Sequence, residues 1–241
     1  MACRSPTTPT SATPPIDQRP VTSEAESTRG AGLTPGAGLT GGAGLTGGAG
    51  LTGGVAGITA ALWRAAPRAG STRVVAVDGR SGAGKTSLAE LLHVSLSAPV
   101  VSLDDLYGGW DGLEQGIQRL VASVLEPLAA GRVMRVPQYD WVAGEWAEPV
   151  VLKPPEVLIV EGVGAGARQA AAYASLLVWL EAAPAVRKKR ALDRDGETFA
   201  PHWDQWAAQE EAMLARERTP ERADITIGVI DVIDVIGVID G

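Results

Sequence analysis

The chain has a single cysteine, Cys3, among 241 residues. That excludes an internal disulfide and a cysteine metal site. Its two histidines, His93 and His202, have no cluster of further ligand-type residues around them, so neither reads as a metal ligand. No strongly apolar run approaches the ~18–20 residues of a membrane-spanning helix, so no membrane partner is expected. The N-terminus lacks a basic stretch followed by an apolar core, so secretion is not expected and a cytoplasmic location is. Positive charge is also short: 21 Lys and Arg stand against 28 Asp and Glu, a formal net charge of -7. An acidic balance argues against bulk nucleic-acid binding. It leaves room for a local basic pocket around a small phosphorylated ligand.

Glycine (30 residues) and proline (16) are abundant. Residues 1–29 are rich in Pro, Thr and Ser and read as disordered. A hexad follows: G-L-T-P-G-A, then G-L-T-G-G-A twice, G-L-T-G-G-V, and a weaker A-G-I-T. Each copy offers one leucine to a core and several glycines that make order costly, so the tract reads as a flexible linker rather than a solenoid. Residues 58–66 suit a short helix leading into the domain, broken by Pro67 and Gly70. The expected organisation is a disordered segment over 1–70, a folded domain over 71–228 and a repetitive tail, V-I-D-V-I-D-V-I-G-V-I-D-G, to the end.

The stretch the chain is organised around is V-V-A-V-D-G-R-S-G-A-G-K-T, residues 74–86. A short apolar run reads as a buried strand. G-R-S-G-A-G-K-T then fits G-x-x-x-x-G-K-[ST], and S-L-A-E-L-L continues as helix. Glycines 79, 82 and 84 let the backbone of Gly79, Arg80, Ser81, Gly82, Ala83 and Gly84 turn tightly around an anion. The helix that opens at Lys85, Thr86 and Ser87 adds its positive end. Lys85 is placed for the β- and γ-phosphates of ATP and Thr86 for Mg²⁺. The guanine-reading N-K-x-D and an L-S-G-G-Q signature are both missing, which argues against a GTP switch and a transporter ATPase.

Further strands read at 99–103, 156–161, 175–180 and 224–228. The first runs into Asp104 and Asp105, one of which is a candidate general base or magnesium-shell group. Residues 113–130 carry helix periodicity. Trp141 and Trp146 are either core-edge anchors or pocket walls. Glu161 ends an apolar strand, where the second acidic element of a magnesium site belongs; the alternative is a plain strand-end charge. Arg187, Lys188, Lys189, Arg190 and Arg194 lie on a helix opened by Pro184 and form a cationic lid, or else a solvated basic helix end. Arg190 and Arg194 are the preferred lid cations. Residues 202–218 read as the last clear helix.

In this order the landmarks V-D-G-R-S-G-A-G-K-T, S-L-D-D-L-Y, P-Q-Y-D, V-L-I-V-E-G and R-A-L-D-R-D resemble the uridine kinase-like branch of the P-loop nucleoside kinases, a group that also takes in phosphoribulokinase-like and pantothenate kinase-like enzymes. The resemblance spans residues 71–228. It implies a three-layer α/β fold with a central parallel five-stranded sheet in order 2-3-1-4-5 and a helical lid. It implies an ATP- and Mg²⁺-dependent kinase in which Asp104 serves the acceptor hydroxyl and Tyr107 helps hold the acceptor. Glu161 falls near magnesium, and Arg190 and Arg194 over the phosphates. Lys85, Asp104, Arg190 and Arg194 are then the catalytic set, with Thr86 and Glu161 at the metal. Tyr139, Asp140 and Trp141 join Asp104 and Tyr107 as candidate acceptor contacts. The acceptor is a small molecule, with uridine or cytidine favoured and pantothenate, a sugar phosphate or another alcohol as alternatives. A sugar phosphate would need a second cation such as Arg132, Arg135 or Lys153. An ATP-binding module without chemistry is the other alternative. Leu106 and the second acid Asp105 depart from the family pattern.

Overall fold

The computed structural model describes residues 49–228. The segment upstream of Ala49, including most of the hexads, and the repetitive tail lie outside the described residues.

Five parallel strands form the central sheet: β1 (Arg73–Gly79), β2 (Val100–Ser102), β5 (Val157–Glu161), β6 (Leu176–Glu181) and β7 (Ile225–Gly228). Each lies within about a residue or two of its expected span, because each is an apolar run bounded by turn residues. The order is β2-β5-β1-β6-β7. Counted among these five strands alone this is the suggested 2-3-1-4-5; the labels differ in detail because two further strands intervene in sequence between β2 and β5. These are β3 (Met134–Asp140) and β4 (Glu145–Leu152), an antiparallel hairpin that forms a separate two-stranded sheet. Tyr139 pairs with Trp146, and the register shifts between Val136 and Gln138, around Pro137, which has no N–H to donate.

The sheet separates two cores, and β1 supplies both through its period of two. Val74 and Ala76 face a core shared with Leu158, Val160, Leu177 and Trp179. Val75 and Val77 face the other, shared with Ile159, Val178 and Leu180. The second core is closed by α2 (Lys85–Leu96), through Leu88 and Leu92, and by α1 (Ala49–Arg64).

Helix α1 corrects the domain boundary at residue 71. It begins nine residues before Ile58 and takes in the last hexad. Ile58 and Leu62, one turn apart, are both fully buried. This packing offsets the glycine cost that the repeat alone would impose. Leu62→Ala is therefore expected to lower unfolding free energy by about 2–5 kcal/mol, measured by denaturant titration. A loss below about 0.5 kcal/mol, the scale of an ordinary surface substitution, would mean that α1 is not part of the folded body.

The helical arm on the opposite face runs as α3 (Leu113–Arg119), a π-helical turn (Leu120–Leu125) and α4 (Glu126–Ala129). Pro127 stands in the first turn of α4, where a missing N–H is tolerated. The connection over 162–174 is mostly loop, with one turn of helix, α5 (Arg168–Ala171). Then come α6 (Pro184–Phe199), α7 (Trp203–Glu217) and the short α8 (Thr219–Arg222). Gly196 interrupts α6 with φ 52°, ψ -133° and bends it. No helix among the described residues is long and apolar enough to cross a membrane.

Candidate active site

Gly79–Thr86 is a strand-to-helix turn, as the sequence predicts. Gly82 and Gly84 hold φ values of 77° and 97°, where a side chain is strained. Gly84 is the N-cap of α2 and gives it no side-chain cap, so the helix presents its first N–H groups outward. A Cβ at Gly82 would stand 2.1 Å from the carbonyl oxygen of Arg187, so the loop and the base of α6 touch backbone to backbone. Lys85 is 8% exposed, and its Nζ donates to the Arg80 carbonyl at 3.2 Å. Gly84, Lys85 and Thr86 line a cavity of about 600 Å³ whose far wall is α6, with Lys189, Arg190 and Arg194. Lys189, ranked below the two arginines in the sequence reading, lines this cavity with them. Lys188 turns away instead, its Nζ 5.6 Å from the Trp203 ring. Arg187 is no lid residue either. It is buried, and it donates to the carbonyls of Ala182 (3.2 Å) and Ser81 (3.3 Å). Burial lowers its pKa.

The carboxyl ends of β2 and β5 supply the acids. Glu161 is 3% exposed and accepts a 2.7 Å bond from the Ser102 hydroxyl, which itself accepts from the Asp104 N–H. Burial raises the Glu161 pKa and the Asp104 charge raises it further, while Lys85 opposes both. Thr86 and Glu161 share a second cavity, of about 440 Å³, with Asp104, Asp105 and Arg194. Among the described residues no group of three or more acids, histidines or cysteines is placed to hold a metal by itself. Thr86 with Glu161 fits magnesium in the manner of nucleotide enzymes, where one or two protein ligands join substrate phosphates.

A third cavity, of about 350 Å³, separates the two adjacent aspartates. Asp104 opens onto it and Asp105 does not. Its walls are aromatic: Tyr107, Trp110, Trp141, Phe199 and Trp206. Trp110 stacks on Phe199 at 5.2 Å and meets Trp141 at 4.7 Å, and Trp206 meets Tyr107 edge-on at 4.9 Å. The polar handles of three of these rings are already engaged by hydrogen bonds within the protein. The Tyr107 hydroxyl donates to Val163 O at 2.7 Å, Trp141 Nε1 to Asp104 O at 2.9 Å, and Trp206 Nε1 to Ser81 Oγ at 3.0 Å. Burial pushes the Tyr107 hydroxyl well above its ordinary pKa. Tyr107 thus offers its ring alone to this space.

Two expected acceptor contacts belong elsewhere. Asp140 is exposed at the β3–β4 turn, and its carboxylate accepts from the N–H groups of Val142 and Ala143 at 2.8 and 2.9 Å. This closes the hairpin in the usual way for an aspartate at a turn. Tyr139 packs edge-on against Trp141 and Trp146 and braces the wall from behind. Trp146 holds the Arg119 guanidinium over its ring at 4.5 Å. Arg132, Arg135 and Lys153 are exposed and line none of the three cavities.

Sequence reasoning assigned no site role to Trp110, Phe199 or Trp206. The last of these read as the inner stripe of a helix, and their convergence depends on how α6 and α7 fold back over the sheet. Asp78 also escaped notice. It is fully buried at the end of β1, where Oδ1 accepts from Gly79 N (2.7 Å) and Gly164 N (3.0 Å), and Oδ2 from Gly166 N (2.9 Å). Burial raises its pKa against those three bonds and Lys85. It joins the phosphate loop to the loop after β5. Asp78→Asn would turn an amide N–H₂ toward a backbone N–H and is expected to cost about 1–3 kcal/mol of stability, read by thermal or denaturant unfolding. An unchanged midpoint would contradict the bonding described.

No family model and no curated protein sequence matches this chain. Solved structures do. A structure from Silicibacter described as a fructose transport system kinase is 22% identical, with a TM-score of 0.52, covering 73% of this chain and 98% of that one. A "possible uridine kinase" from Bacillus stearothermophilus is also 22% identical, at TM-score 0.48, covering 65% of this chain and 88% of that one. A gluconokinase from Sinorhizobium meliloti is 16% identical, at TM-score 0.40, over 69% and 88%. The described residues share the α/β fold of the Silicibacter structure, with the phosphate loop lying between β1 and α2.

Proposed function

We propose that this protein is an ATP-dependent phosphotransferase that moves the γ-phosphoryl group of ATP to a hydroxyl of a nucleoside such as uridine or cytidine, or of a similar small molecule. The observation that carries this reading is the meeting of three cavities at two residues. Asp104 opens onto both the aromatic cavity and the Thr86–Glu161 cavity, and Arg194 lines all three. A group transferred between a donor on the phosphate loop and an acceptor in the aromatic cavity passes between these side chains.

In this reading the N–H groups of Gly82–Ser87 and Lys85 hold the donor phosphates. Magnesium, when bound by Thr86 and Glu161, supplies charge neutralisation between the phosphates. Asp104 orients the acceptor hydroxyl and takes its proton as the oxygen bonds to phosphorus and the bond from phosphorus to the departing ADP oxygen breaks. Lys85, Arg190 and Arg194 offset charge on the transferred group. The aromatic walls bind the acceptor's body by their faces and edges.

This geometry favours a neutral acceptor over a sugar phosphate, since Arg194 is the single cation lining the aromatic cavity among the described residues. The test is a competitive acceptor screen at fixed Mg-ATP, read as new phosphorylated product. Uridine and cytidine should both be phosphorylated, because the ring handles are engaged within the protein and leave little to tell one base edge from the other. Product from a non-nucleoside alone would overturn the nucleoside and leave phosphoryl transfer standing. No product from any hydroxyl compound, with tight ATP binding, would favour the module without chemistry.

A further inference from the structure

Ser81 occupies a position that the phosphate-loop pattern leaves free, yet all three of its polar groups are engaged by α6 and α7, the two long helices between β6 and β7. Its N–H donates to Glu210 Oε1 at 2.9 Å. Its carbonyl accepts from Arg187 Nη1 at 3.3 Å. Its hydroxyl accepts from Trp206 Nε1 at 3.0 Å, and the same indole N–H is shared with Glu210 Oε1, also at 3.0 Å. Glu210 is 1% exposed, a carboxylate that the transfer chemistry does not use. A buried charge is tolerated only where hydrogen bonds or an opposite charge compensate it, and here the Ser81 N–H, the Trp206 N–H and the field of Arg187 do so. Glu210 and Arg187 thus hold the two consecutive peptide units that flank the Ser81 Cα, three residues upstream of Gly84.

We propose that Glu210 and Trp206 are positioning residues for the phosphate loop. They hold the Ser81 peptide so that the N–H groups after it converge on one point. Trp206 is also a wall of the aromatic cavity, so the donor loop and the acceptor seat are tied through one indole. A molecule pressed against that ring bears on the loop that holds the phosphates. The proposal rests on the reading of Gly79–Thr86 as a nucleotide loop.

The experiment is equilibrium binding of Mg-ATP to the full chain by calorimetry, with thermal unfolding measured in parallel. Trp206→Phe keeps an aromatic wall and removes the N–H, and it should weaken Mg-ATP about three- to tenfold. Glu210→Ala removes a charged acceptor and should weaken it about ten- to a hundredfold. Glu210→Gln keeps an accepting oxygen and should fall between the two. Glu217→Gln is the comparison for a purely structural role. Glu217 lies at the far end of α7 and accepts from the Arg168 N–H at 2.8 Å, so its loss should lower the unfolding midpoint and leave Mg-ATP affinity within about twofold. Trp206→Phe and Glu210→Gln binding as tightly as the unaltered chain would overturn the proposal. So would Glu217→Gln weakening nucleotide as much as Glu210→Ala. If the unaltered chain binds no Mg-ATP, the nucleotide reading falls and the proposal falls with it.

Discussion

Lys85→Ala is expected to lower phosphoryl transfer at least about a thousandfold, because it removes a preorganised cation from a site where charge develops. The loss has a second part. Lys85 is nearly buried between two carboxylates, Asp78 and Glu161, and its charge lowers the pKa of both. Without it each carboxyl holds its proton to higher pH than in the unaltered protein. The native state then binds more protons than the unfolded chain over a wider window above the ordinary carboxyl range. Stability falls as pH rises through that window. The variant should therefore be inactive and also less stable near neutral pH, with part of its stability regained on mild acidification. Product formation and unfolding at several pH values check both. Turnover within about tenfold of normal would remove Lys85 from the mechanism, since a catalytic electrostatic contact is worth more than that.

Asp104→Asn separates acceptor chemistry from donor binding. Its carboxylate is exposed and opens onto the aromatic cavity, and it does not line the cavity between the phosphate loop and α6. The amide keeps the shape and cannot take a proton. Transfer should fall about 10²–10⁴-fold. Mg-ATP affinity should change by less than about threefold, since a group at an exposed edge is screened by solvent. Asp105→Asn should not reproduce the effect, because Asp105 does not reach the aromatic cavity. Normal transfer by Asp104→Asn, or equal loss in the two variants, would take the acceptor role from Asp104.

What the sequence made legible follows from where local rules suffice. The phosphate loop was readable because its glycines answer to backbone geometry: Gly82 and Gly84 sit at positive φ. The strand-end acids Asp104 and Glu161 were readable because an acid has few reasons to follow an apolar run. The hairpin was not, since β4 is E-W-A-E-P-V-V-L, mostly exposed, with a proline in its middle, and shows none of the burial alternation that marks a strand. The first half of helix α1 was hidden by the glycine repeat, although 58–66 read as helix, because that half is held by the packing of Ile58 and Leu62 in the tertiary core and not by propensity. Asp140 misled because a carboxylate beside a tyrosine looks alike whether it closes a turn or meets a ligand. Trp110 lies far from Phe199 and Trp206 in sequence, and the three share a cavity only through the path of α6 and α7.

The contact between Gly82 and the Arg187 carbonyl bears on how such chains are to be recognised in sequence collections. The general phosphate-loop pattern treats position 82 as a wildcard, yet here no side chain of any kind fits between loop and helix. For this architecture the pattern narrows to G-x-x-G-x-G-K-[ST], and the added glycine reports where the helix after β6 rests rather than which anion is bound. A chain with a larger residue there must seat that helix elsewhere. The diagnostic for this arrangement is accordingly a pair read together: a glycine at the position of Gly82 and an arginine at that of Arg187, three residues into a proline-initiated helix.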